Sequence, residues 1–115
     1  MAKLPRIHTR PEAKIQKEIE EMLRRKGWYV VRTHGNVYQS GLPDIFATHK
    51  VFGHRWIEVK IPSRRGDIFT PAQHAVFPEL NANGSGVWIL VAATNSEYEK
   101  LKARPNWWSF LQVAH

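Results

Sequence analysis

The sequence predicts an α/β fold: one domain over residues 1–115, with elements in the order αβββαβα and a central mixed sheet flanked by helices. Three observations predict it. A stretch near the start repeats its apolar residues at helical spacing; three short runs rich in β-branched and aromatic residues follow; and a second helix stands ahead of the unbroken apolar run Val87-Trp88-Ile89-Leu90-Val91-Ala92-Ala93.

The elements follow in order. Residues 10–26 read as the first helix, because Ile15, Ile19, Met22 and Leu23 recur on one side, Thr9 suits an N-cap and Gly27 a stop. Trp28 to Arg32 has the content of a strand. A polar stretch, Thr33 to Ser40, leads to Gly41-Leu42-Pro43. Two further strands, Asp44 to about His49 and about His54 to Ile61, flank a hairpin connection at Lys50-Val51-Phe52-Gly53. Pro62 to Asp67 is polar and basic and reads as a loop. Thr70-Pro71 opens a second helix that ends by Asn83-Gly84, and Pro78 should kink or shorten it. Val87–Ala93, apolar on both sides, reads as a central buried strand. A helix from about Ser96 to Ala103 and a short terminal helix with Trp107, Trp108, Phe110 and Leu111 complete the chain.

A chain of 115 residues suits a single core, and 43% hydrophobic with 23% charged residues excludes disordered and collagen-like classes. Lys and Arg number 17 against 10 Asp and Glu, for a net charge of +7 and a pI near 10.1. Such a field attracts polyanions, nucleic acid foremost, although membranes and acidic proteins share the attraction. There is no cysteine, so disulfides and thiolate zinc sites are excluded. The N-terminus has no apolar h-region and no run approaches the roughly 20 residues of a membrane span. An intracellular, soluble protein with no membrane partner is expected.

The chemistry is carried by Pro43-Asp44 and Glu58-Val59-Lys60, one hairpin apart. A hairpin centred near Phe52 sets Asp44 opposite Lys60 and Phe46 opposite Glu58. Opposed residues share a sheet face, as do residues two apart on one strand. Asp44, Glu58 and Lys60 therefore project together, while Ile45, Ala47, Ile57, Val59 and Ile61 form the core side; a one-residue slip would destroy this, and the clean apolar set on odd positions argues against one. Two neighbouring carboxylates suit a hard divalent cation such as Mg²⁺. That cation would acidify a water and neutralise phosphoryl charge, with Lys60 orienting the water or stabilising the transition state. An E-x-K alone is more often a solvated Glu-Lys pair; Pro43-Asp44 upstream on a basic chain lifts it above that.

Gly41-Leu42-Pro43-Asp44, Ile57-Glu58-Val59-Lys60 and Thr70-Pro71-Ala72-Gln73, behind a helix with Glu12-Ala13-Lys14-Ile15-Gln16, resemble a stand-alone VRR-NUC domain of the PD-(D/E)xK nuclease superfamily over nearly the whole chain. The resemblance implies a restriction-endonuclease-like version of the fold. It implies Asp44 and Glu58 as metal ligands, the Val59 carbonyl as a further ligand, Lys60 as catalytic lysine and Mg²⁺ or Mn²⁺ as cofactor, with Gln73 and helix-one residues in support. Stand-alone members resemble homodimeric, virus-associated enzymes that act on branched DNA, including Holliday junctions.

The supporting residues have structural readings too. Thr9-Arg10-Pro11-Glu12 and Thr70-Pro71-Ala72-Gln73 each fit a capping box, so capping and site contact stand level for Gln73. Glu12 falls inside the apolar stripe of its helix and Gln16 at its edge. A glutamate in the equivalent helix of related junction resolvases, counted back from Gly27, falls nearer Gln16, so both stay open. Glu18, Glu20 and Glu21 read as solvated. Arg64 and Arg65, with Arg32 and His34, are candidates for DNA contact or mere solubility. The six histidines lack an HExxH pattern and read as structural or phosphate-facing. Trp107 and Trp108 read as core or interface before base-stacking residues.

The function expected is a divalent-metal-dependent DNA endonuclease. So small a domain leaves little surface for reading sequence, which favours DNA structure as the selected feature. A flap-directed or restriction-like nuclease is the alternative within this class. A non-catalytic basic DNA-binding module is the rival outside it.

Overall fold

In the computed structural model, residues 11–33, 40–61 and 68–111 are described. Helix α1 (Pro11–Arg25) buries Ile19, Met22 and Leu23, with Ile15 packed beside them. Glu12 in its first turn and Arg24 and Arg25 in its last complement the helix dipole. It ends in a Schellman motif: Trp28 donates to the Leu23 carbonyl (3.0 Å) and Gly27, at φ +94°, to that of Arg24 (3.1 Å). Thr9, the expected cap, lies outside the described residues.

Among the described residues four strands form one sheet in the order β1 (Tyr29–Arg32), β2 (Ile45–His49), β3 (Gly53–Val59) and β4 (Val87–Leu90). The first three are antiparallel, and β4 joins β3 in parallel after a crossover through helix α2 (Pro71–Ala82). Trp28, expected in β1, instead lies just ahead of it, buried, with its indole N–H donating to the Tyr98 hydroxyl at 3.1 Å. The β2–β3 register differs from expectation: Ile45 faces Ile57 and Phe46 faces Trp56, two residues from the pairing a turn centred on Phe52 would give. The connection is Lys50-Val51-Phe52, and Gly53, at φ +81°, already pairs with His49. A shift of two preserves parity, so the expected separation of faces survives.

Ile45, Ala47, Ile57 and Val59 lie on the side packed by α1, in one core with Trp28, Val30, Trp88, Leu90, Tyr98 and Leu101. Phe69, Phe77, Val87, Ile89 and Trp107 form the second core under α2, with Trp56 against it. β4 is buried on both sides, yet it is an edge strand rather than a central one. Asn106 accounts for this: its side-chain amide accepts from Ile89 N–H (2.6 Å) and donates to Ile89 C=O (3.0 Å), filling the place of a fifth strand.

Helix α2 continues through Pro78 to Ala82, because Pro78 sits on the exposed side where a lost helical bond can be hydrated. The expected third helix is shorter, α3 (Asn95–Glu99) followed by a 3₁₀ turn (Lys100–Lys102), and the terminal helix is a 3₁₀ turn (Trp107–Phe110). Trp107 is core; Trp108 stacks on it at 3.9 Å and is half exposed. Among the described residues no helix is long and apolar enough to cross a membrane.

Candidate active site

Asp44 sits one residue ahead of β2, on an approach held from two sides. Gly41, at φ +91°, lies against helix α2, where an added Cβ would come within 2.6 Å of the Ala72 carbonyl oxygen. Thr33, at the end of β1, hydrogen-bonds through its hydroxyl to the Pro43 carbonyl and through its N–H to the Asp44 carbonyl (2.9 Å). The backbone of Asp44 is thereby fixed before its side chain makes any contact.

The carboxylates lock the two strands together. Asp44 N–H donates to Glu58 Oε1 (3.2 Å), and Val59 N–H donates to Asp44 Oδ2 (2.9 Å). Glu58 Oε2 accepts from Gln73 Nε2 (2.9 Å) and lies 3.3 Å from Lys60 Nζ. Lys60 Nζ also donates to the Ile68 carbonyl (2.6 Å) and Gln73 Oε1 (3.1 Å), and stands over the Phe69 ring. Glu58 and Lys60 are both buried. The ammonium's three donors thus have three acceptors around them.

Gln73 performs both of the roles that its sequence context left open. Its N–H donates to Thr70 Oγ1 (3.1 Å) and its Oε1 accepts from Thr70 N–H (3.1 Å), completing a capping box. The same oxygen receives Lys60, and the amide nitrogen holds Glu58. The cap that starts α2 therefore fixes the orientation of a side chain bridging Lys60 and Glu58.

Burial and the neighbouring Asp44 charge push the Glu58 carboxyl up to about 8, against the pull of Lys60 and Gln73. Burial also raises Asp44; the Val59 N–H opposes this, the Glu12 charge adds to it and Lys60 lowers it. Glu12 thus acts on Asp44 through space. Gln16 is turned elsewhere, donating to Glu20 Oε2 at 2.9 Å.

Glu20, expected in solvent, is buried, because Arg32 clasps it with two bonds of 2.6 and 2.8 Å. Burial alone would raise the Glu20 carboxyl, but the bonds from Arg32 and Gln16 hold it below the usual range. The sequence carried a signal for its burial, though not for its partner: Glu20 follows Gln16 by one helical turn along the edge of the buried stripe. Arg32, expected at DNA, has its guanidinium held in that pair, with 43% of its side chain exposed. His34, Arg64 and Arg65 lie outside the described residues. The Ile68 carbonyl and Thr70, which sequence reading did not connect with the site, hold Lys60 and Gln73.

Among the described residues no group of three or more His, Cys, Asp or Glu side chains could hold a metal. The donors at hand are two carboxylates, Asp44 and Glu58, and the carbonyl of Val59 in the peptide leading to Lys60. All are hard oxygen donors. Mg²⁺ and Mn²⁺ take such donors and commonly need only one or two carboxylates from the protein. The raised Glu58 carboxyl points the same way: the pair favours a shared proton or a cation between its oxygens over two bare charges. The residues fit a hard divalent ion.

No protein-family model matches the chain, and no curated protein matches it. A solved VRR_NUC domain shares its fold, with a TM-score of 0.62 and 22% identity, covering 80% of this chain and 94% of that one. At that identity the likeness establishes the α/β fold, with its four-stranded mixed sheet and helices.

Proposed function

We propose that this chain, which has the fold of a VRR_NUC domain, is a divalent-metal-dependent DNA endonuclease, one nuclease domain over residues 1–115. The observation that carries the reading is the contact of half-buried Asp44 with buried Glu58, which is tied through buried Gln73 to buried Lys60. A solvated Glu-Lys pair would have none of this enclosure. A pure nucleic-acid binder gains nothing from a pair of carboxylates that repel phosphate.

Asp44, Glu58 and the Val59 carbonyl would hold Mg²⁺ or Mn²⁺, which supplies charge neutralisation at the phosphoryl group and acidifies a water. Lys60 brings a positive charge that helps offset the charge gathering on the phosphate during attack. Gln73 keeps the Lys60 ammonium and the Glu58 carboxylate in one orientation, sparing reorganisation when substrate arrives. Glu12 adds negative charge beside Asp44 and so strengthens its demand for a cation. Arg64, Arg65 and His34 are proposed DNA contacts.

The substrate we propose is branched DNA such as a Holliday junction. The support is symmetry: two copies, each with one site, would match a two-fold substrate. The test is cleavage of labelled junctions, flaps and plain duplex, with Mg²⁺, with Mn²⁺ and with neither, beside gel filtration. Metal-dependent incision with a junction preference and a dimeric elution is expected. No incision in either metal would overturn the enzyme reading, and Lys60→Ala cutting at the wild-type rate would overturn the assigned chemistry.

A further inference from the structure

Among the described residues, the sheet side that carries Asp44 and Glu58 is only half covered. Val30 points into the α1 core, so its neighbours Tyr29 and Val31 face the opposite way. Cross-strand pairing then sets out two rows on that side, Tyr29 with Thr48 and His54, and Val31 with Phe46 and Trp56. The next row along the same strands is Thr33, Asp44 and Glu58, about 7 Å further on. The core under α2 includes Trp56 of β3 but no residue of β1 or β2. Tyr29 is 69% exposed and Val31 39%. The Phe46 ring stacks on His54 (5.9 Å, 24°) and meets Trp56 edge-on (5.0 Å, 61°).

We propose that this uncovered half is a stacking platform for unpaired nucleobases of the substrate, immediately beside the carboxylates; the proposal rests on the nuclease reading. Aromatic side chains on adjacent strands of an open sheet are a general means of holding single-stranded bases, since every base offers a π-face and duplex pairing hides those faces. The patch is continuous with the row of carboxylates, so a strand crossing to Asp44 and Glu58 lies against it. None of its six residues is acidic, and the chain carries a net charge of +7, which suits a polyanion. A second copy suits the patch less well: the two exposed apolar side chains, Tyr29 and Val31, fall far short of the about 800 Å² per partner of a stable interface. The platform favours DNA whose bases are unstacked next to the scissile phosphate, as at a branch point or the root of a flap.

The test is binding of the full chain, in EDTA, to a labelled blunt duplex and to the same duplex carrying a short unpaired tail. Because no cleavage is read, a chain that fails to cut still gives an answer, and failure of the nuclease reading is seen separately. Tighter binding of the tailed duplex by wild type is expected, with Tyr29→Ala and Phe46→Leu each reducing that advantage about tenfold, as for the loss of one base stack. Tyr29→Phe should restore it, and all variants should bind blunt duplex as wild type does and elute from gel filtration at its position. Equal affinity of wild type for the two DNAs, or a full advantage in Tyr29→Ala, would overturn the platform. A change of oligomeric state in Tyr29→Ala would overturn it too, by assigning the patch to a second copy.

Discussion

Glu58 is where proton and fold meet in one side chain, and where the proposed cation would compete with the proton. An ordinary glutamate releases its proton near 4.5, whereas this one holds it to about 8. In that window the folded protein binds more protons than the unfolded chain, so stability falls as pH rises from about 4.5 to about 8. Thermal melts in EDTA should show a declining Tm across that range, and Mg²⁺ or Mn²⁺ should recover most at the alkaline end, where the proton is no longer there to displace. Glu58→Gln should flatten the EDTA profile while lowering cleavage at least about a hundredfold; a profile as steep as wild type would show that another group titrates. Gln73→Ala removes the bridge to both Glu58 and Lys60, and on the proposed metal-dependent chemistry a loss of about 10–100-fold in cleavage is expected, the scale at which partners that orient metal ligands act. At this scale the sequence was readable wherever parity alone decided: Asp44, Glu58 and Lys60 gather as their even numbers require. It was unreadable where a partner is remote in sequence. Nothing near Glu20 announces Arg32, and nothing near Lys60 announces the Ile68 carbonyl.

The elements carry the site because their ends do. Thr70 caps α2, and the cap bond passes through Gln73, so Thr70→Ala should cost about 1 kcal/mol in chemical denaturation and also slow cleavage, while Thr70→Ser should retain both. The Gly41 approach is tighter still. Gly41→Ala places a Cβ 2.6 Å from a backbone oxygen of α2 at a positive φ, and about 1–3 kcal/mol of destabilisation is expected, with cleavage impaired beyond what stability explains. Equal stability of this variant and wild type would mean that the loop and α2 are not in contact. Helix limits were legible because caps and stops are local: α1 and α2 begin and end within a residue or so of expectation. The hairpin register was not, because a turn centred on Val51 rather than Phe52 is decided by the left-handed conformation of Gly53, and several turns satisfy the same residues. The 3₁₀ turns after α3 were likewise hidden, since their spacing of apolar residues resembles that of an α-helix over one turn.

At the scale of the molecule, helices pack on both sides of one sheet but leave part of the α2 side open, and the net charge of +7 acts on anything that approaches. DNA binding should therefore weaken about tenfold or more between 50 and 200 mM salt, given two or more phosphate contacts; an affinity indifferent to salt would remove phosphate from the interaction. The order αβββαβα was readable from periodicity and turn residues. The position of β4 was not, because an apolar run states only that both sides are covered. Asn106, 17 residues further on, supplies what a neighbouring strand would otherwise give to Ile89. An open β4 would be a template for self-association, exposing the unpaired amides on which sheets of separate molecules grow into aggregates. A single side-chain amide, oriented to donate and accept at one residue, stops that growth where the chain is most apolar.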